Sequence, residues 1–158
     1  MQTLQLSDVL ISQLGKSDEI PYSLLLDADP SIELVDKYLK VSEIYIAKLK
    51  NQIVGVYVLC PVNSELVEIK NIAVEEKFQG NGIGKLLLDD AFKLAKRKGY
   101  KELIIGTANS SVGQLYLYQK SGFEISNIKM NFFIDNYPTP FYENGIPVKH
   151  MIVLSKQL

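Results

Sequence analysis

Residues 78–87 read FQGNGIGKLL, with glycines at 80, 82 and 84 directly ahead of a leucine-rich run. Inside a helix a glycine costs roughly 1 kcal/mol relative to alanine, so three in five positions mark a loop whose backbone must approach something that side chains would block. The helix that follows offers N–H groups without intrahelical acceptors and the positive end of its macrodipole, a combination suited to an anion. Spacing excludes two familiar phosphate loops. A P-loop requires glycine five residues before its Gly-Lys pair and Ser or Thr after the lysine, positions held here by Gln79 and Leu86. A dinucleotide fingerprint starting at Gly80 requires a third glycine where Lys85 stands.

On the N-terminal side of the loop, residues 64–74 (SELVEIKNIAV) alternate as a central strand would, placing Leu66, Glu68, Lys70, Ile72 and Val74 on one face and Val67, Ile69, Asn71 and Ala73 on the other. On the C-terminal side, Leu87, Leu88, Ala91, Phe92, Leu94 and Ala95 form one arc of a helical wheel that Gly99 ends. Earlier in the chain, residues 22–28 and 31–39 read as two short helices with Asp29 or Ser31 as caps. Residues 42–49 and 52–60 read as a hairpin turning at Lys50-Asn51. A short strand is expected around Leu4 and Leu6. After Gly99 the pattern predicts a strand over KELIIGT, a helix over 110–121, and final strands over 123–133 and 147–156. The order is mixed α/β.

At 158 residues the chain holds one domain, read over 1–158. A net charge of −1 gives no general attraction to nucleic acid or anionic lipid, so no nucleic-acid or membrane partner is expected. Lys93, Lys96, Arg97 and Lys98 read as a solvated helix end. Cys60 is the sole cysteine, which rules out an intrachain disulfide and suits a cytoplasmic setting. The N-terminus lacks the basic n-region of a signal peptide, and no apolar run is long enough to span a membrane. Cys60 reads as a buried small hydrophobe and His150 as structural, without partners at metal-ligand spacing; no metal is expected.

The surviving pattern, Gln79-x-x-Gly82-x-Gly84 after EIKNIAV, resembles the acyl-CoA loop of the GNAT superfamily of N-acetyltransferases. A second stretch, Tyr118-Gln119-Lys120-Ser121-Gly122-Phe123, is similar to the family's tyrosine-bearing helix and its Gly-Phe ending. The resemblance covers about residues 42–135. It implies a single GNAT-type α/β (α+β) domain, a mixed and largely antiparallel sheet flanked by helices, that moves acetyl from acetyl-CoA to a primary amine by direct transfer. A non-catalytic acyl-CoA-binding module is the alternative, and a homodimer is a common family arrangement. The resemblance further places the pantetheine arm along Ile72, Ala73 and Val74. It puts the pyrophosphate over Gln79, Gly80, Asn81, Gly82, Ile83, Gly84 and Lys85. Asn109 is a cofactor contact or a helix N-cap; the family's usual spacing to the tyrosine would fall on Ser111 instead.

The chemistry needs an unprotonated amine and a proton for the departing thiolate. An alkyl amine of pKa near 10 is free in roughly one molecule in a thousand at neutral pH. Glu68 matches the general-base glutamate of one branch of the family, or else pairs with Lys70. Tyr118 matches the general acid, or else is a core aromatic. Residues 136–147 (NYPTPFYENGIP) form a connection long for a hairpin, stiffened by three prolines, whose Tyr137, Phe141 and Tyr142 are expected to line an acceptor pocket or anchor a subunit contact, or else to pack onto the chain's own sheet.

Overall fold

The computed structural model describes residues 4–158; residues 1–3 of the domain read from the sequence lie outside it. A seven-stranded sheet runs in the order β1-β2-β3-β4-β5-β9-β6. Its strands are β1 (Val9–Gln13), β2 (Glu43–Leu49), β3 (Gln52–Pro61), β4 (Leu66–Val74), β5 (Glu102–Ala108), β6 (Glu124–Lys129) and β9 (Met151–Gln157). Every neighbouring pair is antiparallel except β4 and β5, so the architecture is the mixed, largely antiparallel α/β sheet expected.

The helices are α1 (Tyr22–Ala28), α2 (Ile32–Leu39), α3 (Ile83–Arg97), α4 (Val112–Lys120) and α5 (Phe132–Asn136). One face of the sheet packs on α3 and α4 through Val67, Ile69, Leu87, Leu88, Ala91, Tyr118 and Phe123. The opposite face packs on α1 and α2 through Leu24, Leu25, Val35, Val56 and Val58. Ser31 caps α2 by accepting a hydrogen bond from the Leu34 N–H at 3.3 Å. No helix of the described residues is long and apolar enough to cross a membrane.

Four readings are corrected. Residues 6–8 form a 3-10 turn, and the first strand begins at Val9, where pairing with β2 and not local alternation decides the conformation. The alternation of β4 is broken by a bulge: Asn71 faces Val58 and Ile69 faces Leu59, leaving Lys70 extra. Ile72 and Val74 therefore join Val67 and Ile69 against the α3 core, while Asn71 turns to the α1–α2 side. The strand expected over 123–133 stops at Lys129, because Asn131 takes a left-handed conformation (φ 58°) that starts α5. The 136–147 connection contains a small hairpin of β7 (Tyr142–Glu143) and β8 (Ile146–Pro147), turned by Asn144-Gly145, both at positive φ.

Candidate functional site

The parallel pairing of β4 with β5 lasts four residues, from Leu66 opposite Glu102 to Ile69 opposite Ile105. Beyond Ile69 the strands part: β5 continues along β9, and Lys70–Val74 keeps β3 on one side with no strand on the other. Unpaired backbone N–H and C=O groups on a sheet edge accept an extended, hydrogen-bonding ligand as an added strand.

Two clefts open in this gap. The larger, about 640 Å3, runs from Ile72, Ala73 and Val74 over the glycine loop to Gly113 and Leu117 of α4. Gly82 is the N-cap of α3 at φ +88°, and Gly80 stands at φ +79°, so both positions need glycine's access to left-handed backbone. The first intrahelical bond of α3 runs from the Leu86 N–H to the Gly82 carbonyl, which leaves the N–H groups of Ile83, Gly84 and Lys85 without acceptors inside the helix. Gly84 is an ordinary helical glycine; a Cβ there would touch Leu117 across the cleft at 3.4 Å. These donors, the free edge and the glycine surface fit a pyrophosphate joined to an amide-bearing arm.

Gln79 lines this cleft and also holds its loop, donating from Nε2 to the Val74 carbonyl at 3.0 Å. Asn81 does not line it; its amide closes the turn on the carbonyls of Phe78 and Gln79. Asn109 lies outside both clefts. It donates to the Pro147 carbonyl at 3.1 Å and accepts from the N–H groups of Lys149 and His150 at 2.8 and 2.9 Å. The N-cap of α4 is Ser111, so Asn109 has no capping role.

The smaller cleft, about 190 Å3, lies between the parted strands and is walled by Phe133, Tyr137, Phe141 and Met151. Its far side is closed by the β7–β8 hairpin, which latches onto the start of α4: Ser111 donates to Glu143 at 2.5 Å and Asn144 donates to the Ser110 carbonyl at 3.0 Å. Tyr137 and Phe141 line this cleft, whereas Tyr142 is 71% exposed and does not. Sequence reasoning missed Asp27, Asn71 and Gln114, which also line it. No local pattern marks them, because they come from three separate elements.

Tyr118 lines both clefts and is 5% exposed. Burial raises its phenol above the ordinary value, with no hydrogen bond contributing to the shift. The helix is stopped beneath it by Gly122 at φ +96°, with the Phe123 N–H returning to the Tyr118 carbonyl at 3.0 Å and the two rings 6.3 Å apart. That is the physical content of the Tyr-to-Gly-Phe spacing. Glu68 lines neither cleft; its carboxylate lies 3.6 Å from Lys70 Nζ. Cys60 is buried within β3, and His150 accepts the Asn131 N–H on Nδ1 at 2.9 Å, holding the start of α5.

Comparison with known proteins agrees with this geometry. The family model described as Acetyltransferase (GNAT) domain matches residues 40–125. An uncharacterised N-acetyltransferase of Bacillus subtilis (strain 168), YvbK, is 47% identical over 144 residues, covering 90% of this chain and 92% of the relative. A GNAT family acetyltransferase from Elizabethkingia anophelis with acetyl-CoA bound superposes with a TM-score of 0.94 at 56% identity, covering 96% and 99% of the two chains. A Bacillus subtilis acetyltransferase in complex with CoA superposes at 0.90 and 43%, covering 95% and 99%. With the glycine loop on the N-terminus of α3, the parted β4 and β5 and the tyrosine between two clefts, the chain belongs to the GNAT family and is an acetyl-CoA-dependent N-acetyltransferase.

Proposed function

We propose that the enzyme transfers acetyl directly from acetyl-CoA in the larger cleft to a primary amine in the smaller one. The observation that carries this reading is the position of Tyr118, a side chain common to both cavities. The amine nitrogen bonds to the acetyl carbon, the C–S bond breaks, and the thiolate takes the Tyr118 proton while the amine releases one of its own. Burial raises Tyr118's pKa, which keeps the phenol protonated but weakens it as an acid, so the transfer rests on the thiolate forming directly beside it. In this reading Ile72, Ala73 and Val74 hold the pantetheine arm by their free backbone edge. Gln79, Gly80, Gly82, Ile83, Gly84 and Lys85 hold the pyrophosphate, and Asn81 shapes their turn. Glu68, beside Lys70 and outside the clefts, draws the amine's proton through water. Cys60, buried in β3 and lining neither cleft, supports transfer without a thiol intermediate. A single buried free thiol also suits a reducing, cytoplasmic setting.

Initial velocities with both substrates varied should give intersecting lines; parallel lines would mean a covalent acetyl-enzyme. Tyr118→Phe should lower kcat by about 10²-fold with little change in acetyl-CoA affinity. Glu68→Gln should keep kcat at high pH and lose activity near neutrality, where the amine needs its proton removed. Full neutral-pH activity in Tyr118→Phe with chemistry rate-limiting would remove the acid from this scheme.

A further inference from the structure

Two features of the smaller cleft remain once the acetyl donor is accounted for. Asn71 is 4% exposed and lines this cleft. Its Nδ2 donates to the Leu25 carbonyl and to the Tyr38 hydroxyl, both at 2.9 Å, while its Oδ1 has no partner among the described residues. Turning the amide over would face an oxygen to the Leu25 carbonyl, so the orientation is fixed by its neighbours. A buried carbonyl oxygen left unpaired is costly, and a ligand N–H entering the cleft would relieve that cost.

The second feature is charge. Asp27, Asp29 and Glu143 line the cleft against Lys70, whose ammonium lies beside Glu68. Asp29 already accepts from Tyr137 at 2.8 Å and Glu143 from Ser111 at 2.5 Å. Asp27 is exposed, and it lines both clefts together with Tyr118, which places it where donor and acceptor meet. Three aromatic rings share that wall with aliphatic side chains such as Ile105, Val148 and Met151: Phe133, Tyr137 and Phe141 pack on one another with ring centres 5.6 to 6.3 Å apart. The volume lies below the usual range of roughly 300–1,000 Å3 for drug-sized ligands.

We propose that the acceptor is a small primary amine with a compact aromatic or apolar body and no carboxylate, its nitrogen held by Asn71 Oδ1 and the Asp27 carboxylate beside Tyr118. This rests on the N-acetyl-transfer reading. The acidic lining draws the ammonium form in from solvent and disfavours acceptors whose amine sits next to a carboxylate.

Phenethylamine and phenylalanine carry the same ring and amine and differ by the carboxylate, so they form the test pair. With acetyl-CoA and free CoA as the readout, kcat/KM for phenethylamine should exceed that for phenylalanine by about tenfold or more. Asn71 is buried and its replacement risks the fold, so the exposed Asp27 carries the variant arm. Asp27→Asn should raise the phenethylamine KM about tenfold, and Asp27→Glu should restore most of it. Equal use of both amines, an unchanged KM in Asp27→Asn, or turnover of a lysine peptide in place of phenethylamine would each overturn the proposal. Calorimetry with CoA on the same protein separates the two readings: a wild-type enzyme that binds CoA and acetylates neither amine refutes this acceptor class. One that fails to bind CoA refutes the transfer reading beneath it.

Discussion

At Gly82 the backbone turns through φ +88°, and a Cβ placed there would meet Leu6 Cδ1 at 3.1 Å. Gly82→Ala incurs that strain and contact; Gly82→Asp adds a carboxylate beside the unpaired N–H groups of α3, where an anion is to bind. Gly82→Asp should therefore weaken CoA binding at least about tenfold beyond Gly82→Ala, as measured by calorimetry on folded proteins. Equal affinities in the two variants would remove the loop from the pyrophosphate site. The requirement for glycine at 80 and 82 was legible from their clustering before a helix. That the Gln79 amide would turn back onto the Val74 carbonyl was not, because that bond depends on where β4 ends.

Among the elements, the segment from Pro147 to His150 is tied to the end of β5 by the three hydrogen bonds of one side chain, that of Asn109. The same segment continues from the β7–β8 hairpin that closes the smaller cleft. Asn109→Ala should cost about 1–3 kcal/mol in denaturant unfolding, speed amide exchange at Lys149 and His150, and raise the acceptor KM while leaving CoA affinity intact. Selective loss of CoA affinity would instead return Asn109 to the cofactor. Elements whose cause is local were readable in advance: α1 and α2, the β2–β3 hairpin at Lys50-Asn51, and α3 with its Gly99 stop. The bulge at Lys70 and the short helix α5 were not, since one answers to pairing with β3 and the other to His150, nineteen residues away in sequence.

Across the whole molecule, five tyrosines have phenols raised above the ordinary value by burial first: Tyr38, pushed up to about 12, and Tyr45, Tyr57, Tyr118 and Tyr137. A hydrogen bond to a carboxylate adds to the shift at Tyr45 (Glu43), Tyr57 (Asp90) and Tyr137 (Asp29). Tyr45 and Tyr57 also stack, with centroids 5.0 Å apart. A folded-state pKa above the unfolded value of about 10 means that the folded chain holds protons the unfolded chain releases, so the stabilisation is complete below pH 10 and falls as pH rises toward 12. Each such tyrosine should remove about 1.4 kcal/mol per pH unit in that window. Denaturant midpoints at pH 9, 10 and 11, with tyrosinate absorbance recorded alongside, check this. A flat midpoint across that range, or tyrosinate signal from all five in the native protein, would contradict the burial argument.

Legible from the residues alone were the helix periods, the glycine loop, the stop after the tyrosine helix and the mixed order of helices and strands. Each is a local matter of backbone conformation or of apolar residues recurring at one period, and neighbouring residues suffice to express it. The tertiary structure alone decided where the parallel β4–β5 pairing ends, and with it the gap that forms both clefts. It also brought Asn71, whose Oδ1 is buried without a partner among the described residues, to the same cleft as Asp27 from α1 and Phe141 from the 136–147 connection. Those residues are assembled by contacts between elements far apart in the chain, and a cavity has no period for a sequence to display.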